Sequence, residues 1–253
     1  MNSLLLEVQK LWRFLLPTQF NVRRQLIAIT ILLALTAISG GVVLKPSRRT
    51  PDAWDNFKKD IVKRAQVDVF DDFQSGLDSW ESTESVATWT YDLGGLATPG
   101  KLALFSPTLK LTDYNVDSVA QVVSKGLGLV FRARGAGTYQ AVNLVVDGRG
   151  PMPPLAVERY AVINGKESAH VRVKCPGTFQ KDTLYHIHLE VRGDSYTLYI
   201  EGHLIDSWTD ARTRSGGVGF FCVKGERARV AWVRVSNNTD ATGRLCSYLS
   251  SLF

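Results

Sequence analysis

No CxxC pair occurs anywhere in this chain. Its three cysteines, Cys175, Cys222 and Cys246, match the spacing of neither a zinc site nor a c-type haem attachment. An odd count leaves at least one thiol unpaired. A single disulfide stays open, Cys222 reads as a buried inert thiol in an apolar strand, and Cys246 is open to lipidation or a disulfide. Histidine is scarce too, with four in 253 residues. His186 and His188 alternate with Tyr185, Ile187, Leu189 and Val191, so both share one strand face with Glu190. An H-x-H-x-E strand can supply metal ligands, but a polar sheet face is the simpler expectation. His170 and His203 stand alone. Gly126-Leu127-Gly128 and Gly135-Ala136-Gly137 flank the VFRAR segment. A phosphate cradle needs a helix N-terminus after it, and a strand follows here, so these read as turn glycines. No metal and no cofactor is expected.

A basic excess is missing from most of the chain. Of 30 Lys/Arg and 24 Asp/Glu, residues 1–66 hold eleven and four, which leaves nineteen against twenty in residues 67–253. Nucleic-acid binding wants its basic stripe on the folded domain, and none is there. The surplus lies instead around residues 26–44, LIAITILLALTAISGGVVL, a run without one charge. At 1.5 Å per residue it reaches roughly 28 Å, close to the ~30 Å hydrocarbon core of a bilayer. It reads as a single transmembrane helix. A cleaved signal peptide is disfavoured, because the preceding region and the apolar run both exceed signal-peptide lengths. With no ionisable group in the run, it relays no protons and ligates no chlorin or haem.

Residues 1–25 read as an amphipathic membrane-surface segment, with Leu4, Leu5, Val8, Leu11, Trp12 and Leu15 on one face. Residues 45–66 read as a basic juxtamembrane linker ending in a short helix from Pro51, with Trp54, Phe57 and Ile61 as its stripe. The expected membrane or partner contacts are Leu4, Trp12, Arg23, Arg24, Lys45, Arg48, Arg49 and Trp54, facing anionic headgroups.

From Val67 the hydrophobic period changes from 3.6 to 2. Strands are expected near 67–71, 88–92, 101–105, 118–124, 127–133, 138–146, 156–164, 169–174, 184–192, 195–200, 203–207, 217–223 and 228–235, with residues 237–253 as a tail. Asn164-Gly165, Gly193-Asp194 and Glu201-Gly202 are hairpin turns. Many short strands with no helix between them mean an all-β sandwich over residues 67–236. Trp80, Trp89, Trp208 and Trp232 read as core or rim packing, with a sugar-stacking platform as the alternative. Arg132 with Arg134, and Arg227 with Arg229, stand at i, i+2, so each pair is expected on one polar face.

Three segments carry a resemblance: FDDFQSGLDSWE (Phe70 to Glu81), TLYHIHLEVRGDSYTLYIEGHLIDSW (Thr183 to Trp208) and SGGVGFFCVKGERARVAWVRVS (Ser215 to Ser236). Their order resembles the concanavalin A-like lectin/glucanase superfamily, in its laminin-G-like, family-16-glycoside-hydrolase-like bacterial branch. The resemblance implies a jelly roll, a fold that hosts enzymes, lectins and scaffolds alike. Retaining glucanases of the superfamily carry an ExDxxE strand, which places two carboxyls ~5–5.5 Å apart. No ExDxxE occurs here, and the acids Asp68, Asp71 and Asp72 at the domain's start read as residues that cap turns or close the sandwich. The chain is therefore expected not to be an enzyme.

The leading expectation is a non-catalytic accessory subunit of a larger bacterial membrane complex, photosynthetic reaction centre or respiratory, whose sandwich serves as an interaction surface. Its partners would be other subunits and anionic lipid. The alternatives are a membrane-tethered carbohydrate-binding module with a glycan partner, and a sugar-active hydrolase of the keto-disaccharide hydrolase-like branch. The expected place is the inner membrane. Lys/Arg counts beside the run point to a cytoplasmic domain, the resemblance points to the exported side, and the exported side is preferred.

Overall fold

The computed structural model describes residues 51–82, 88–148, 153–176 and 180–252, with side chains from Asp55 onward. The chain divides into the units Met1–Ala53 and Trp54–Phe253. The surface segment, the transmembrane run and the contacts Leu4, Trp12, Arg23, Arg24, Lys45, Arg48 and Arg49 lie outside the described residues, as does the side chain of Trp54. Among the described residues no helix is long and apolar enough to cross a membrane.

The second unit is a sandwich of two antiparallel sheets, in agreement with the expected jelly-roll architecture. Helix α1 (Pro51–Arg64) precedes it. In sheet 1 the strand order is β14 (His203–Thr209), β13 (Ser195–Ile200), β12 (Leu184–Arg192), β6 (Tyr114–Ser124), β16 (Arg227–Asn237), β4 (Ala97–Thr98), β3 (Thr90–Tyr91), with β1 (Val67–Asp71) also on β16. In sheet 2 the order is β10 (Lys166–Glu167), β9 (Leu155–Ile163), β8 (Tyr139–Val146), β7 (Gly126–Ala133), β15 (Gly217–Phe221), β5 (Ala103–Phe105), β2 (Trp80–Glu81), with β11 (Val171–Lys174) also on β9. The chain changes sheet between β1 and β2, β2 and β3, β4 and β5, β5 and β6, β6 and β7, β11 and β12, β14 and β15, and β15 and β16, so the middle of each sheet joins strands far apart in sequence.

Period-2 patterning decides what each strand buries. In β12, Tyr185, Ile187, Leu189 and Val191 are buried while His186, His188 and Glu190 are not. In β6, Tyr114, Val116, Ser118, Ala120 and Val122 face inward. Opposite them stand Leu127, Leu129 and Phe131 of β7 and Val142 and Leu144 of β8. Each such Val, Leu, Ile or Phe contributes about 1.5–3 kcal/mol. Trp80 and Trp89 pack into this core with centroids 5.1 Å apart, beside Phe73 and Phe105.

Sheet 2 is also buried on its outward side. Leu104, Val130, Ala133, Ala141, Tyr160, Val162 and Phe221 form a second apolar cluster. Gly126 and Gly128 are therefore not turn glycines; they lie inside β7. A Cβ on Gly128 would sit 2.2 Å from the Phe221 ring, so the ring occupies the space a side chain would need. The i, i+2 reading of Arg132 and Arg134 also fails. A bulge after Val130 puts Arg132 at φ +52, and its guanidinium is buried against Gly193 O (2.6 Å) and Asp113 (3.3 Å). Arg134, past the strand end, bonds Ser215. Arg227 and Arg229 of β16 do stay off the core, with the buried Ala228 between them, despite a bulge at Arg227/Ala228, and Arg229 pairs with Asp92 at 2.7 Å.

The tail read at 237–253 contains a helix, α2 (Ala241–Ser250). Asp240 caps it by accepting from Gly243 N–H at 2.7 Å. The Gln66 N–H donates to Gly243 O (3.0 Å), and Ser247 Oγ–H donates to Gln66 O (3.4 Å). This binds α2 to the residue just ahead of β1.

Candidate functional site

A cleft of about 310 Å³ opens at one rim of the sandwich, where β9 and β11 approach the end of β14 and the loop after it. Trp208, the penultimate residue of β14 and 9% exposed, forms its apolar wall. The Arg159 guanidinium lies over the indole at 5.2 Å from its centroid and donates through Nε to Asp206 at 2.7 Å. This bond crosses from sheet 2 to sheet 1. The pair also fixes the guanidinium plane over the ring, a geometry worth ~1 kcal/mol or more when partly desolvated.

A second pair lies beyond it. Arg212 Nε donates to both oxygens of Asp210 at 2.9 Å, and the Arg212 backbone N–H adds a bond of 3.0 Å. Burial works against the charged form of Asp210, but these bonds outweigh it and hold the carboxyl below the usual range. The loop is pinned from below. The Tyr196 hydroxyl donates to Asp210 O at 3.1 Å, and Gln140 Nε2–H donates to Thr213 Oγ1 at 3.2 Å. At the other lip Tyr160 stacks on His170 with centroids 4.1 Å apart and planes within 5°. The imidazole lies between Glu158 and Glu167, at 3.6 and 3.3 Å. The cleft thus presents two oriented guanidinium–carboxylate pairs and two covered aromatic walls. It suits a ligand with many hydroxyls, each of which accepts from a guanidinium and donates to a carboxylate.

The residues singled out from sequence scatter. Trp80 and Trp89 are in the core, Trp208 is at the cleft, and Trp232 lies on the outer face of sheet 1, so they form no single platform. His186 and His188 share that outer face, as expected, with a partner that strand spacing did not announce. Asp117 Oδ1 accepts from His186 Nε2 (3.0 Å) and His188 Nδ1 (2.8 Å). An ionised Asp only accepts, so both nitrogens carry hydrogen. Its hydrogen bond to Asp117 raises the His188 pKa. Burial opposes the charge on Asp117, and the two imidazoles still hold its pKa low. Among the described residues no group of three or more His, Cys, Asp or Glu is arranged to hold a metal.

Of the acids at the domain's start, Asp71 and Asp72 cap turns, whereas Asp68 lies within β1 and pairs with Arg234 of β16. Asp71 accepts from Phe73 N–H and Trp80 Nε1–H, both at 2.7 Å, and Asp72 from Gln74 N–H. All three cysteines are free, so the disulfide left open by the sequence does not form. Cys246 is buried within α2. Burial pushes the Cys175 thiol up to about 11 and, with Glu226 adding to it, the Cys222 thiol up to about 12. Sequence reading missed Arg159, Asp206, Asp210 and Arg212. Arg159 and Asp206 meet 47 residues apart across two sheets, and no local pattern encodes that.

No protein-family model matches the chain, and no curated protein matches it. Solved structures similar to it include the carbohydrate-binding module CBM66 from Bacillus subtilis, at 20% identity over 60% of this chain and 91% of that one, with a TM-score of 0.49. A Caenorhabditis elegans galectin is similar at 12% identity over 60% and 99%, with a TM-score of 0.41. A β-glucanase of Bacillus licheniformis is similar at 11% identity over 67% and 98%, with a TM-score of 0.47. At these identities and scores, nothing that those proteins bind or cleave carries across.

Proposed function

We propose that the chain is a non-catalytic glycan-binding module of the concanavalin A-like superfamily, tethered to a membrane by residues 26–44 with the sandwich on the exported side. The observation that carries this is the rim cleft, where Arg159–Asp206 and Arg212–Asp210 stand oriented beside Trp208. Paired in advance, these side chains lose little freedom when a ligand arrives. The non-catalytic reading draws on the same groups. A glycosidase needs one carboxyl that gives up a proton, whereas the two cleft carboxylates, Asp206 and Asp210, are each engaged by a guanidinium, and no ExDxxE occurs in the chain. Nothing among the described residues favours a photosynthetic or respiratory complex, and that expectation is set aside.

A glycan array probed with the full-length chain in detergent tests the reading. The expected result is a restricted set of glycans whose signal falls at least about tenfold in Arg159→Ala and Arg212→Ala, the loss of one charged hydrogen-bond group each. A blank array, or signal indifferent to both changes, overturns it. Protease treatment of intact cells tests the sidedness: cleavage is expected, and protection refutes the exported orientation.

A further inference from the structure

The outer face of sheet 1 carries a feature the cleft does not use. Five rings cross it without a gap: Phe70 on β1, Trp232 on β16, His186 and His188 on β12, and Tyr199 on β13. Successive centroids are 6.0, 5.9, 6.5 and 5.8 Å apart. Strand β6 lies between β16 and β12, but its residue at this register is Val119, paired with both Trp232 and His186. The two large rings meet across the smaller side chain. Phe70 is 58% exposed, and Trp232 and Tyr199 are half-buried. Asp117 anchors the middle of the ladder by holding both imidazoles on one oxygen.

The charges of this face are matched in number. Arg234 is held by both oxygens of Asp68, Arg229 by Asp92 and the imidazoles by Asp117, while Arg192, bonded to the neutral Asn115, is offset by Glu190 on the same side of β12. An anionic polymer or an anionic bilayer therefore meets no surplus positive field here. The complement of such a face is an uncharged chain with flat C–H surfaces and a hydroxyl rim. We infer that the ladder is a second glycan surface, which takes a neutral polysaccharide lying across the strands, its C–H faces on the rings and its hydroxyls toward Asp117, Glu190 and Arg234. The inference goes beyond the cleft and uses none of its residues.

Retention of the full-length chain on insoluble β-1,4-glucan, β-1,3-glucan and chitin tests it. The wild type is expected to be depleted by at least one of them. Trp232→Ala is expected to lower retention about tenfold, in the range of a lost aromatic stacking contact, while Trp232→Phe keeps most of it. The Arg159→Ala, Arg212→Ala double variant is expected to be retained like wild type, which separates failure of the ladder from failure of the cleft. If Trp232→Ala does not fold, Tyr199→Ala at the far end takes its place, with the same loss expected. No retention of the wild type, retention unchanged by the ring substitutions, or retention lost only in the cleft variant overturns the inference. Ring-dependent binding to anionic vesicles in place of glycan overturns it as well.

Discussion

Val119 and Val130 each sit on the outward side of a strand, one in either sheet. Val130 is fully buried, in a cluster with Ala141, Tyr160 and Phe221. Val119 is half-buried among His186, Asp117 and Trp232. The inner faces of the two sheets are alike, and the outer faces differ in kind. The sequences differ accordingly. Strand β7, GLGLVFRA, is buried at every position, whereas β6, YNVDSVAQVVS, alternates. A strand buried on both sides loses its polar alternation; a strand with one wetted side keeps it. The outer face of sheet 2 therefore contributes stability, and that of sheet 1 is free to carry polar groups.

The same substitution on both faces tests this most severely. Val130→Asp buries an unpaired charge and is expected to lower stability by about 4 kcal/mol or more, enough to prevent folding. Val119→Asp should stay within about 1 kcal/mol. Circular dichroism without denaturant reads whether Val130→Asp folds and urea unfolding reads the loss in Val119→Asp; similar losses would erase the distinction. Gly128→Ala comes next. It drives a methyl into the Phe221 ring and is expected to cost about 1–3 kcal/mol, whereas an exposed turn glycine of negative φ would tolerate alanine.

The smallest effect concerns pH and belongs to sheet 1 alone. His188 has a raised pKa through Asp117. A raised histidine gives stability that is fully present below its unfolded pKa near 6.5 and is lost as pH rises through the higher folded value. Asp117 has a lowered pKa, so its share is present above about 3.9 and lost as pH falls through its folded value. Asp117→Asn is expected to remove the Asp117 slope and to shrink the His188 slope, which Glu190 still supports, at a cost of no more than about 1 kcal/mol at pH 6. Chemical denaturation from pH 2 to 8 reads it, and an unchanged profile would show that His188 does not sense Asp117.

The contrast also explains how much was legible in sequence. Strands with one wetted side, β12 and β6, announce themselves by alternation, and Asn164-Gly165 and Glu201-Gly202 mark the β9–β10 and β13–β14 hairpins with φ values of +51, +76, +50 and +74. The two-residue strands β2, β4 and β10 are too short to show a period. Gly128 reads as a turn because its reason, the Phe221 ring, lies 93 positions onward and appears only on folding. Helix α2 had its signal in Asp240, three residues before the N–H it caps. The cleft was the least legible part. Its ion pair Arg159–Asp206 joins different sheets, and the bulge that turns Arg132 inward is equally a product of packing.

Gln66 has both of its backbone groups bonded to α2, through Gly243 and Ser247. It is also the last residue before β1, whose first residue, Val67, pairs with Asn237 at the end of β16. Tension applied along the chain from its N-terminal side reaches this knot before it reaches any strand. The β1–β16 ladder opens from Val67 one pair at a time under such a pull, so its resistance is low, and the bonds to α2 stand ahead of the first pair. The C-terminal helix therefore shields the start of that ladder: its bonds to Gln66 part before the first pair does.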